Sequence, residues 1–162
     1  MTTSLHLTAH ASNTLLALEL ARKEAAHLHY SHSTLFALHI DLQWVEGLGQ
    51  HPELAEKVEA FVSRFGRLQD HLGEKLIPRY AQLVGEQHKT QIDVLNFAER
   101  SGILVSADDF LAARKLRNAL VHEYMQDAQS FLEGLQLAQS ASQMLFDVIT
   151  KIESELRRLG VR

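Results

Sequence analysis

Apolar residues in this chain recur at intervals of three and four almost throughout, the period of amphipathic helices and not the alternation of half-buried strands. The pattern predicts a first helix over about residues 8–30, with Leu15, Leu16, Leu18, Ala21 and Leu28 on its inward stripe. Ser31 to Ser33 should interrupt it before a second segment from Thr34 to about Glu46, where Gly47 and Gly49 break the pattern. Pro52 then stands where a first helical turn tolerates proline. From Glu53 to about Glu86 runs a long seam of Leu54, Val58, Phe61, Phe65, Leu68, Leu72 and Leu76. Pro78 lies inside it and should kink or split it, because proline lacks an N–H and clashes with the preceding turn. Thr90 to Asp93 and Ser106 to Asp109 read as capping boxes for two further helices, the first closing at Gly102. A last helix over about residues 128–159 turns Phe131, Leu135, Ala138, Leu145, Ile149, Ile152 and Leu156 inward and stops at Gly160. Long helices with short connections predict one all-α domain, residues 1–162, folded as an antiparallel helical bundle.

Composition narrows the class. An apolar share of 46% over 162 residues can fill one substantial core and argues against disorder. The absence of cysteine removes disulfides and thiolate metal sites. No stretch approaches the roughly 20 apolar residues of a membrane span. The opening Met-Thr-Thr-Ser-Leu-His lacks the basic region and apolar run of a signal peptide, so the expected location is the cytoplasm, with no membrane partner. The net charge of −4 does not advertise a nucleic-acid binder, but it is unevenly spread. Residues 1–62 carry seven acids and three bases, whereas residues 63–162 carry thirteen of each. A polyanion would therefore favour the second part, with Arg64, Arg67, Arg114, Lys115 and Arg117.

Ten histidines raise the question of a metal. His6 and His10 are four apart, and His27, His29 and His32 cluster, but no carboxylate stands at a convincing ligand spacing. They read as surface histidines, and no metal is expected. No glycine-rich phosphate loop of the Walker or Rossmann type occurs, so no cofactor is assigned to this chain.

The residues best suited to chemistry lie between 113 and 124. Wound as one helix, Ala113, Leu116, Ala119 and Leu120 should share one side, and Arg114, Arg117, Asn118 and His122 the other, with Val121 and Met125. Arg117 and His122 stand about 140° apart around that axis, so a second copy related by a two-fold axis could bring them together. Histidine can take or give a proton near neutrality, and arginine can clamp a phosphate through two donors. Asparagine adds an amide to fix a phosphate or orient the imidazole. The set suits metal-independent RNA cleavage, in which His122 activates the ribose 2′-hydroxyl and Arg117 stabilises the developing phosphorane. RNA brings its own nucleophile. Taken alone, such residues on one helix face are more often solvated surface, and Tyr124 alone would read as a half-buried packing residue. Asp70 could pair with Arg117 or orient His122, or equally pair locally on its own helix.

The arrangement Arg117-Asn118-x-x-x-His122-x-Tyr124 resembles the Arg-x4-His-x-Tyr signature of HepT-type toxins of the HEPN superfamily. The run from Ser63 to Asp70, then Gly73-Glu-Lys75-Leu-Ile-Pro78, resembles an earlier helix of such proteins. Phe97 to Leu104, followed by Asp109-Phe-Leu and Arg114, continues in the same order. The likeness covers roughly residues 10–155. It implies a homodimer of helical bundles with two Arg/His motifs facing one cleft, and metal-independent endoribonuclease activity. Arg117 and His122 would then be catalytic and Asn118 supportive, with Asp70, Arg114, Arg67 and Lys75 supporting the site or contacting RNA. It also implies a partner, an MNT-type nucleotidyltransferase antitoxin that can transfer AMP to the tyrosine corresponding to Tyr124. Two alternatives accompany this reading: a non-catalytic substrate-binding subunit of a nucleotidyltransferase, and a structural antitoxin or scaffold.

Overall fold

The computed structural model describes the backbone of residues 2–123 and 126–161, and the side chains of residues 7–121 and 126–161. Among the described residues the fold is all-helical, without strand. Helix α1 spans Thr2–Leu35, the short α2 Leu42–Glu46, and a 3-10 turn Gly47–Gln50. Helix α3 spans Pro52–His71, and a π-helical turn, Leu72–Leu76, passes it into α4, Ile77–Leu83. Helices α5 (Gln91–Arg100), α6 (Ala107–Glu123) and α7 (Ala128–Arg158) complete the chain.

Contacts between side chains and backbone fix the helix directions. Along α3 and α4, Arg64 reaches Ser31, His71 reaches Ala17, and Arg79 reaches Asn13, so α1 runs antiparallel to them. His32 meets Gln139 and Arg22 meets Glu153, so α7 is antiparallel to α1 as well. Gly66 faces Arg117 while Gln69 bonds the Phe110 carbonyl, which sets α6 antiparallel to α3. Helices α1, α3, α6 and α7 thus form the bundle. Helices α4 and α5 continue it at one end, and α2 packs on α7 at the other. The centre is aromatic: Phe61, Phe65 and Phe131 are buried with Leu68, Leu72 and Leu145.

The first expected break is absent. Helix α1 runs continuously through Ser31 to Leu35, and the hydroxyls expected to break it are held by partners. Ser31 accepts from Arg64 at 2.7 Å, and the Thr34 hydroxyl bonds back to the Tyr30 carbonyl at 3.1 Å. The chain turns only after Leu35, and Asp41 caps the amide of Trp44 at 2.8 Å to start α2. Leu16, expected inward, is 54% exposed. Two residues before the buried Leu18, it lies about 200° away around the axis.

Pro52 opens α3 as anticipated, and Pro78 does divide the long seam. The accommodation is a π-helical turn. Continuing its i to i+5 ladder would pair residue 78 with the Gly73 carbonyl, but proline has no N–H to offer. That carbonyl instead accepts from Gln91 Nε2 at 3.4 Å. Thr90 and Asp93 form a full capping box. At α6, Ser106 accepts from the Asp109 amide at 3.1 Å, and Glu99 from α5 accepts from the Ala107 amide at 2.9 Å. Gly102 and Gly160 take positive φ just beyond α5 and α7.

Replacing Phe65 by Ala should cost about 3–5 kcal/mol of stability in urea denaturation, since it empties the aromatic centre; a loss under about 1 kcal/mol would move that centre elsewhere. Asp127 caps α7: its carboxylate accepts from the Ser130 hydroxyl at 2.7 Å and from the Ser130 and Gln129 amides. Those bonds, the Ser130 hydroxyl's foremost, hold its pKa below the ordinary 3.8. A folded pKa below the unfolded one stabilises the fold above the unfolded value, and that contribution is lost as pH falls through the folded value. Asp127→Ala should therefore melt earlier than the parent at neutral pH, and the two should converge in strong acid. A gap of constant size across the acid range would show that the charge of the cap plays no part.

Candidate functional site

Helix α6 meets α3 through a glycine. A Cβ built on Gly66 would stand 2.6 Å from Arg117 Nε, closer than real side chains approach, and 3.0 Å from its Cγ. The three nearest atoms all belong to Arg117, so its stem lies directly across the α3 backbone. One turn further along α3, the Asp70 carboxylate is 3.5 Å from Arg117 Nη2. From α6 itself, Asn118 Oδ1 accepts from Arg117 Nη1 at 3.3 Å. The guanidinium is thus held on two sides while its side chain remains 37% exposed. Its stem is fixed by packing, and the planar head keeps donors for an external anion.

This placement corrects the expected division of α6 into a buried and a presented face. Arg117 is three residues before Leu120, so only about 60° separates them. It lies on the same arc as the buried Phe110, Ala113 and Leu120, and it is an interhelical residue. Ala119, assigned to the buried side, is exposed. His122 belongs to α6, but its side chain lies outside the described residues, and Tyr124 lies outside them altogether.

Beside Arg117, α3 and α6 leave a groove of about 370 Å³. Val58, Glu59, Val62, Ser63 and Arg67 line it from α3, and Arg117, Leu120 and Val121 from α6. Of the cations expected near the site, Arg67 and Arg117 border this groove. The Arg67 Nε is 3.9 Å from Glu24 Oε2, beyond hydrogen-bond reach, and its side chain is 59% exposed. Arg114 is turned toward α5, where it donates to Gln91 Oε1 at 3.1 Å. Lys75 is exposed on the π-helical turn and does not line the groove. Among the described residues, no three His, Asp or Glu side chains gather as a metal site requires, and no helix is long and apolar enough to cross a membrane.

Reading the sequence by helix faces missed Gly66, Gln69 and Gln91. Gln69 is buried and donates to the Phe110 carbonyl at 3.0 Å, which fixes α6 against α3. Gln91 bridges the Gly73 carbonyl and Arg114. Gly66 had a legible signal: it stands one helical turn before Asp70, where a long side chain from another helix could cross. Nothing in the spacing of the two glutamines marked them.

A double-mutant cycle tests the crossing. With Arg117 present, Gly66→Ala should be neutral or destabilising, because the new methyl meets the arginine stem. In an Arg117→Ala background the same change should stabilise by roughly 0.5–1 kcal/mol, the ordinary gain of alanine over glycine within a helix. Equal effects in both backgrounds would show that Arg117 does not rest on Gly66. Compared with known proteins, the chain matches no family model, no curated protein and no solved structure.

Proposed function

We propose that this chain is a HEPN-type ribonuclease toxin, working as a two-fold dimer and restrained by an MNT-type nucleotidyltransferase. The observation that carries the reading is the anchored guanidinium. Arg117 is braced by Gly66, Asp70 and Asn118 at the border of an open groove, on the helix that also carries His122. An arginine braced in advance needs little reorganisation when negative charge develops on a phosphate. The short Arg-x4-His-x-Tyr resemblance and the order of its flanking motifs supply the rest.

In the proposed reaction His122 takes the proton of a ribose 2′-hydroxyl. The 2′-oxygen attacks phosphorus, the bond to the 5′-oxygen breaks, and a 2′,3′-cyclic phosphate forms. An imidazolium returns a proton to the leaving 5′-oxygen. Arg117 holds the non-bridging oxygens as charge accumulates there, and Asn118 keeps the guanidinium turned toward them. The two-fold arrangement answers the separation of Arg117 and His122 by about 140° along one helix, since a second copy supplies the missing proximity.

Regulation would act at Tyr124. Its oxygen attacks the α-phosphorus of ATP bound by the partner, pyrophosphate leaves, and AMP remains as a phosphodiester. In the sequence Tyr124 follows His122 by two residues, as in the signature that the chain resembles. The added anion and its nucleoside would compete with RNA for the same cation.

Purified protein should cleave RNA in EDTA and leave cyclic-phosphate ends, with activity lost by at least about a hundredfold in Arg117→Ala and His122→Ala. Undiminished cleavage by His122→Ala would sink the mechanism. Binding of a nucleotidyltransferase without any RNA cleavage would instead favour the non-catalytic subunit. Co-expression with the nucleotidyltransferase should add AMP-sized increments to the intact mass, absent in Tyr124→Phe. Equal modification of that variant would place the acceptor elsewhere.

A further inference from the structure

The groove beside Arg117 has a polarity that the cleavage mechanism does not use. On α3, Glu59, Ser63 and Arg67 follow one another at intervals of four, so they form a single row along the helix. Eight residues of helix set the backbone positions of Glu59 and Arg67 about 12 Å apart along the axis. Arg117 joins Arg67 at the cationic end, because it crosses α3 at Gly66. Between the two ends the walls are apolar: Val58 and Val62 from α3, and Leu120 and Val121 from α6. Val121, on the α6 wall, is 58% exposed and so open to a ligand.

The sequence of features is cation, apolar slot, carboxylate. Its length is comparable to the reach from the phosphate to the far edge of the base in an extended nucleotide. The volume of about 370 Å³ falls within the roughly 300–1,000 Å³ of small-molecule sites. We infer that this groove is a nucleotide subsite selective for guanine, with the phosphate at Arg67 and Arg117 and the base edge at Glu59. The selectivity follows from donor count. An ionised carboxylate only accepts, and it can receive two parallel hydrogen bonds. Guanine offers two adjacent donors on one edge, the ring N1–H and the exocyclic amine. Adenine and cytosine set one donor beside an acceptor, and uracil flanks its one donor with two carbonyls. Each of these leaves a lone pair facing the carboxylate, a mismatch that polar sites reject strongly. The apolar side chains contact the faces of the base and read nothing from them.

This inference rests on the ribonuclease reading for its physiological ligand, a guanine nucleotide within an RNA strand, and its test does not require cleavage. The full chain, labelled at valine and leucine methyls, is titrated with 5′-GMP, 5′-AMP, 5′-CMP and 5′-UMP, with inorganic phosphate as control. GMP should shift the methyls of Val58, Val62, Leu120 and Val121, with affinity at least about tenfold above the other three nucleotides. Glu59→Gln should abolish that preference, because an amide presents donors to guanine's donors. Val121→Glu, at an exposed helical position, should weaken all four. Equal affinity for the four nucleotides overturns the inference. So do shifts reproduced by phosphate alone, which would mean an arginine anion site without a base pocket. Methyl shifts that follow protein concentration and ignore nucleotide would also overturn it, because a second copy of the chain would then cover the groove. A preserved GMP preference in a protein that cuts no RNA upholds the subsite and removes only the ribonuclease reading.

Discussion

The crossing of Arg117 over Gly66 constrains most of what surrounds it. Helix α6 can approach α3 with an arginine at the contact only because α3 presents no side chain there. That approach determines where Leu120 meets the core, where the groove opens and where the guanidinium points. Its energetic role is modest. An ion pair as exposed as Arg117 with Asp70 contributes about 0–1 kcal/mol, whereas each buried aromatic or leucine contributes about 1.5–3 kcal/mol. The pair therefore orders the site, and the apolar centre around Phe61 and Phe65 supports the bundle.

The interruption at Pro78 acts at a distance on the same site. Proline leaves the Gly73 carbonyl without its helical partner, and Gln91 of α5 takes the place. The other end of the Gln91 amide accepts from Arg114. One side chain thus joins the π-helical turn, α5 and α6. It also holds Arg114 away from the groove, which leaves Arg67 and Arg117 as the cations that border it. Arg114, grouped in the sequence with its basic neighbours, thus also ties α6 to α5.

Net charge is a poor guide to such a surface. The chain carries −4 overall, yet screening limits an exposed charge to its neighbours within about 8–10 Å at ordinary ionic strength. The charges at the groove are Arg67, Arg117 and Glu59, with Glu24 of α1 beside Arg67 and Asp70 beside Arg117, and acids farther away add little.

Periodicity made the helical class, the two long terminal helices and the inward residues of α3 and α7 legible, because burying an apolar stripe every three or four residues admits few other solutions. Local chemistry announced itself equally well: the Thr90–Asp93 capping box, Pro52 at a first turn, and glycines beyond α5 and α7 depend on neighbours in sequence. The continuity of α1 through Ser31 did not, because it depends on Arg64 arriving from thirty-three residues away. The spacing from Arg117 to His122 marked a candidate site, but azimuth around one helix could not say that Arg117 belongs to an interface. A helical wheel places side chains relative to an axis; only packing decides which part of the circumference meets another helix. Gln69 and Gln91 acquire their roles from that packing, so tertiary structure alone assigned them.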